Sequence, residues 1–257
     1  MMRRTIIRRV GLALLIGFPA AWAADEALPK AEAVLDRYVE VTGGKAAYEK
    51  RKTESATGTI SFPAQGLKGT VTRFSAEPNQ SYMVMELEGI GKIEAGTSGG
   101  VVWGKDPIMG PRVKTGEEKV QAIREARFNS PLRWRELYSK VENAGVETVE
   151  GEECYKLVMT PNEGKAETQY YSKKTGLGVK TVMTAVSPMG EIQTEGIVSD
   201  YKDFGGIKIP TKTIQKAAGQ EFIITLDNVK VNESLPVDRF EPPAEIKALL
   251  KKTTDKK

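Results

Sequence analysis

Residues 53–87 read TESATGTISF PAQG LKGTVTRFSA EPN QSYMVMEL: three runs of alternating apolar and polar residues, split by a Pro-Ala-Gln-Gly break and a Glu-Pro-Asn break. Successive side chains of a strand point to opposite faces, so alternation of this kind marks half-buried strands. Breaks this short cannot carry a parallel crossover, which needs a dozen residues or more, so the three strands are antiparallel neighbours. Further strands are expected outward at 90–96 and 100–104. After an interruption at 105–140 the pattern resumes at 141–149, 152–160, 166–172, 177–185, 190–201, 207–217 and 220–231. A sheet this wide curls rather than exposing long flat edges. The expected fold class is therefore mainly β (α+β), a curved antiparallel sheet forming an incomplete barrel of about 11–12 strands, covered by a few helices.

The helices are read from period and punctuation. Pro29 precedes Ala31, Val34, Leu35, Tyr38 and Val41 on one helical stripe, closed by Gly43-Gly44, and a second turn follows at 45–50. Inside the interruption, Asp106–Pro111 reads as a loop, Thr115 with Glu118 as a capping box, and Ser130-Pro131 as an N-cap with Pro at the first helical position. The first mid-chain helix offers Val120, Ile123 and Phe128; the second offers Leu132, Trp134, Leu137 and Tyr138. A short helix is expected near 243–250, and 251–257, KKTTDKK, as a disordered basic tail.

Residues 1–23 read as a signal peptide: Arg3, Arg4, Arg8 and Arg9, an apolar run from Val10 to Phe18, and Ala21-Trp22-Ala23 before the cut. The apolar run is shorter than the ~20 residues of a membrane-spanning helix, and Pro19 interrupts it, so no transmembrane segment is expected in the mature chain. Arg3-Arg4 leaves both the general and the twin-arginine export routes open. Cleavage after Ala23 gives an exported, periplasmic protein with a single domain over 24–250. It also removes four of the 38 basic residues and none of the 34 acidic ones, so the mature chain is neutral. No basic excess remains to engage a nucleic-acid backbone, and nucleic acid is excluded as a partner.

The chain contains no histidine. Ser-His-Asp and Cys-His catalysis, histidine-ligated zinc and the usual general base near neutral pH are thereby removed. Gly96-Thr-Ser-Gly-Gly100 matches a nucleophile elbow in letters, but it lies between two strands and reads as a hairpin turn. Gly99–Lys105 begins like a phosphate-binding loop, yet Asp106 and Pro107 stand where a hydroxyl and a helix should follow. The carboxylate pairs Glu117/Glu118, Glu152/Glu153 and Asp200/Asp203 lack calcium-loop spacing and read as turn or solvent-face charges. The lone Cys154 is expected to be structural, on the face of Lys156 and Val158 or buried against neighbours. Arg124, Arg127, Arg133 and Arg135 read as a solvated helix face or as a docking surface for an acidic partner or lipid head group. No catalytic residue, metal or cofactor is expected, and the chain is read as non-enzymatic.

The apolar inventory is rich in adaptable side chains. Met83 and Met85 share a strand face with Leu87, while Met109, Met159, Met183 and Met189 are spread over later segments. Several punctuated segments carry a family likeness: Leu35–Gly44, Glu77-Pro78-Asn79, Gly91–Glu94 leading to Val102-Trp103, Tyr170–Leu177, Asp200-Tyr201 and Gly206–Pro210. In order and turn punctuation the chain resembles the outer-membrane lipoprotein-sorting group, the LolA/LolB-like (lipoprotein-localisation) superfamily, over roughly residues 30 to 245. The resemblance implies an incomplete barrel with a helical lid and a hydrophobic cavity that takes a lipid or lipoprotein acyl chains. The lining expected on that reading is Phe62, Phe74, Met83, Met85, Trp103, Trp134 and Met183. The rival reading is a cell-envelope module with a filled core, working through an envelope protein partner.

Overall fold

The computed structural model describes residues 27–188 and 190–254. Residues 1–26, which include the expected signal peptide, Met189 and residues 255–257 lie outside these. Among the described residues thirteen strands form one antiparallel sheet. The first meander comprises β1 (Thr53–Phe62), β2 (Leu67–Ala76), β3 (Gln80–Leu87), β4 (Gly91–Ser98), β5 (Val101–Asp106) and β6 (Gly110–Val113). The second comprises β7 (Tyr138–Val149), β8 (Glu152–Pro161), β9 (Glu167–Ser172), β10 (Gly178–Ser187), β11 (Gly190–Phe204), β12 (Ile207–Ala217) and β13 (Gln220–Val231).

In space the order is β6-β5-β4-β3-β2-β1-β13-β12-β11-β10-β9-β8-β7. The first meander runs out from β1 to one edge, and the second runs in from the other edge to β13, which pairs with β1 from Glu54↔Val231 to Ser61↔Ile223. β6 and β7 do not pair, so the curved sheet stays an open half-barrel. The chain between those two edges has to cross the open side. Helices α3 (Gly116–Glu125) and α4 (Trp134–Leu137) are that crossing.

Curvature is supplied by bulges at Thr57/Gly58, Asn143/Val146 and Gly178/Lys180. At Gly58 an added Cβ would lie 1.9 Å from the Thr225 carbonyl oxygen, so this close strand approach requires glycine. Two helices fill part of the concave face: α1 (Ala31–Val41) and α2 (Gly44–Lys50). Val39 and Tyr48 close over Ala56, Val71, Ile207, Ile209, Leu226 and Val229, while Ala31, Val34, Leu35 and Trp134 cover Leu157, Met159 and Tyr171. Cys154 lies on the opposite strand face, fully buried with Val149 and Tyr170. Beyond β13 the chain returns along the convex side, where Phe240 and, in α5 (Ala244–Thr254), Ile246 are buried.

Four expectations are corrected. Asp106–Pro111 is not only a loop: the Asp106 carboxylate accepts the Ile108 and Met109 amides, and the tight turn lets Gly110–Val113 pair with β5 as a thirteenth strand. Pro111 fits there because β6 is an edge strand. Thr115 makes no side-chain cap on α3. Glu118 instead takes two charge-assisted hydrogen bonds from Arg112, at 2.6 and 2.7 Å, with Lys114 beside it at 3.2 Å, and these outcompete a neutral cap. The helix after Ser130-Pro131 is one turn, Trp134–Leu137, because pairing with Pro161 and Thr160 draws Tyr138 and Lys140 into β7. Finally, α5 runs through Thr254, so Lys251 and Lys252 belong to its last turn, where cations suit the helix dipole.

Candidate functional site

Lateral register fixes what the concave face of the first meander presents. From β1 to β4, one row across the strands is Glu54, Ser75, Ser81 and Thr97; the next is Ala56, Arg73, Met83 and Ala95. A third is Gly58, Val71, Met85 and Ile93. α3 passes over these rows and leaves a cavity of about 460 Å³ lined by Arg73, Met83, Ala95 and Val102 from the sheet, by Ala122 and Glu125 from the helix and by Ala126 at its C-cap. None of the α3 residues is fully buried, so the helix spans the space without filling it. Its tie to the far side is the Gln121 amide, which donates to Thr184 O at 3.3 Å and accepts from Val186 N–H at 3.0 Å. That stretch of β10 lies beyond its pairing with β9, so the side chain stands in for a missing strand.

The cavity's inner end is polar. Glu54, 3% exposed, is gripped by Arg51 on one oxygen and by Arg73 on the other at 3.0 Å. Arg51 also donates to Asn129 Oδ1 at 3.2 Å and lies 4.7 Å over the Phe128 ring. Asn129 itself donates to the Tyr48 carbonyl at 2.8 Å, which ties the α3–α4 connection to α2. Glu125 hangs from the lid, open to the cavity's solvent but largely surrounded by protein. Burial raises its carboxyl above the usual range, and Gln121 and Arg124 partly offset this.

A second cavity, about 250 Å³, lies beneath α1 and α4 among Tyr38, Tyr138, Tyr171 and Tyr201. Its wall is a closed hydrogen-bond network. Glu167, 7% exposed, accepts from Tyr138 at 2.6 Å, Gln169 at 2.6 Å and Arg124 at 3.1 Å, and Tyr171 donates to Gln169. Every member is satisfied within the protein, so this region reads as a specified core.

The residues expected from the sequence as a lining fall in three places. Met83 lines the larger cavity, and Met85 packs beside it against the central core. Met183 is half-buried on β10, in register with Thr194, and Phe62 meets Phe222 with ring centroids 5.3 Å apart at the far end of the concave face. Trp134 borders the smaller cavity, donates to Asp36 and carries the Arg135 guanidinium 4.0 Å over its ring. Phe74 belongs to the convex side, stacked on Tyr82 and covered by Arg239 at 4.4 Å. Trp103 lies in the same aromatic row, folded across Gly96, and borders both the cavity and a convex pocket of about 280 Å³ under the C-terminal segment.

Sequence reasoning passed over Arg51, Glu54, Arg73 and Glu125. A signal was available: Glu54 and Arg73 occupy inward positions of β1 and β2, the parity of Ala56, Ile60 and Val71. The arginine cluster takes the opposite course. Arg124, Arg127, Arg133 and Arg135 each have a carboxylate within 3.1 Å, from Glu167, Glu136, Glu136 and Asp36 respectively, so the cluster is a set of ion pairs. Gly99 and Gly100 form the expected hairpin turn, with φ of 56° and 75°. Among the described residues no group of three or more His, Cys, Asp or Glu is placed to hold a metal, and no helix is long and apolar enough to cross a membrane.

No family model and no curated protein matches the chain. Solved structures do share its fold. A DUF1329 family protein from Desulfovibrio piger superposes with a TM-score of 0.56 at 17% identity, covering 82% of this chain and 97% of that one. A LolA superfamily protein from Nitrosomonas europaea gives 0.53 at 13%, covering 84% and 99%. A domain described as an outer membrane lipoprotein-sorting protein, from Vibrio parahaemolyticus, gives 0.52 at 14%, covering 86% and 99%. At these identities the likeness is one of fold.

Proposed function

We propose that this chain is an exported, periplasmic, non-catalytic carrier or binding protein for a lipid or the acyl chains of lipoproteins, held between the curved sheet and its helical lid. The observation that carries this reading is the roughly 460 Å³ space under α3, closed by a helix none of whose residues is fully buried. That volume lies within the ~300–1,000 Å³ typical of small-ligand sites. Beyond it the concave face continues as half-buried apolar side chains, Met85, Ile93, Met183, Phe222 and Ile224, which an alkyl chain would shield from water. Each methylene so buried contributes about 0.8 kcal/mol. The fold shared with lipoprotein-sorting proteins supports the same assignment. Native mass spectrometry and organic extraction of the purified protein test it: a bound amphiphile of defined mass is expected, and a protein that is empty and displaces no fluorescent fatty-acid probe overturns it.

A second reading is a cell-envelope interaction module with a filled core and no ligand. It is favoured by Leu132, which, like Met83 and Met85, is partly buried against the central cluster and so takes up part of the space inside the curved sheet. This reading expects no probe displacement and specific co-purification with an envelope protein.

A further inference from the structure

The cavity is polar at its inner end, the concave face next to it is apolar, and Arg73 stands at the boundary between the two. The innermost row, Glu54, Ser75, Ser81 and Thr97, carries a carboxylate and three hydroxyls, whereas the row beyond Arg73 and Met83 is Gly58, Val71, Met85 and Ile93. Glu54 is already neutralised by Arg51, which is 13% exposed and holds one carboxylate oxygen. Arg73 adds a single contact, Nη2 to the other oxygen at 3.0 Å, and keeps 42% of its side chain exposed. Two arginines therefore meet one carboxylate at this end of the cavity, which leaves Arg73 with unused N–H donors facing it. The other charges around it are accounted for. Lys114 is spent on Glu118 and Arg127 on Glu136, and the second carboxylate of the lining, Glu125, has Gln121, Arg124, Glu167 and Lys114 as its polar neighbours rather than Arg73.

We infer that the ligand is a single-chain amphiphile with an anionic head. The head pairs with the Arg73 guanidinium beside the Ser75 and Ser81 hydroxyls, and the chain runs outward over Met83, Met85 and Ile93. Charge-assisted hydrogen bonds from a planar guanidinium suit a carboxylate and a phosphate alike. A volume of about 460 Å³ sits at the small end of ligand cavities, which favours one chain over two. This inference rests on the ligand-binding reading above and adds the chemistry of the head group to it.

The test uses the purified full chain and three ligands with the same sixteen-carbon tail: hexadecanoic acid, hexadecyl phosphate and hexadecanol, each displacing a neutral environment-sensitive dye. The expected result is that at least one of the two anions binds about tenfold or more tighter than the alcohol. Whichever anion is tighter identifies the head as carboxylate or phosphate. Arg73→Gln should abolish that preference, bringing the anions to the affinity the same variant has for hexadecanol, while Arg73→Lys should keep part of it. Arg51 still neutralises Glu54 in both variants, and thermal melts check that they fold; the wild-type comparison stands alone if they do not. Equal binding of anions and alcohol, or a preference that survives Arg73→Gln, overturns the head-group assignment and leaves apolar binding intact. Failure of all three ligands to displace the dye overturns the binding reading itself.

Discussion

Gly96 carries no side chain because the Trp103 indole occupies that place: a Cβ there would lie 2.6 Å from the ring. Gly96→Val is expected to cost about 1–3 kcal/mol by overpacking, read as a lower urea midpoint with an unchanged slope and a shifted tryptophan emission. The strand alternation around this residue is legible in the sequence, but the need for glycine is not. It arises because β4 and β5 pair in a register that sets Trp103 directly opposite Gly96. Arg73 and Glu54 are the converse case. Their inward parity is visible in the letters, yet their meeting depends on β1 and β2 pairing in one register out of several.

Among the α-helices of the described residues, α3 alone has no fully buried residue, and Gln121 is its tie to β10. Gln121→Ala should remove two hydrogen bonds and leave the Thr184 carbonyl and Val186 amide to water, loosening the lid with little effect on the core. The expected outcome is faster amide exchange across Gly116–Glu125, with a global stability loss of about 1 kcal/mol. A loss of several kcal/mol, with α3 exchanging no faster than the sheet, would mean that the helix is part of the core. Alternation and turn residues identify β1–β5 and β8–β13 in the sequence to within a few residues, because the pattern of a half-buried strand is local. β6 and the short α4 escape such reading. The first depends on an aspartate-closed turn and a vacant edge beside β5, the second on competition from β7 pairing.

At the scale of the whole molecule, the buried hydroxyls and the thiol set an alkaline limit. Burial pushes Tyr201 up to about 12 and Cys154 up to about 11, and raises Tyr38, Tyr138 and Tyr171 above their ordinary value of 10.0. These groups stay protonated in the fold while the unfolded chain ionises first. Stability is therefore full below about pH 9 and falls as pH rises through 9 to 12. Denaturant midpoints measured from pH 7 to 11 should decline only above pH 9, in step with tyrosinate absorbance appearing on unfolding; a flat profile would show that these residues open to solvent. The same scale separates the two sources of this structure. The sequence by itself determined an antiparallel, curled, mainly β chain with an amphipathic N-terminal helix and no histidine chemistry, since periodicity, short turns and composition act over a few residues. Tertiary structure alone decided that β6 and β7 stay apart, that α3 consequently spans an open cavity, and that Arg51 and Arg73 converge on the one Glu54 carboxylate there. Those outcomes depend on curvature and register accumulated over all thirteen strands, which no single segment encodes.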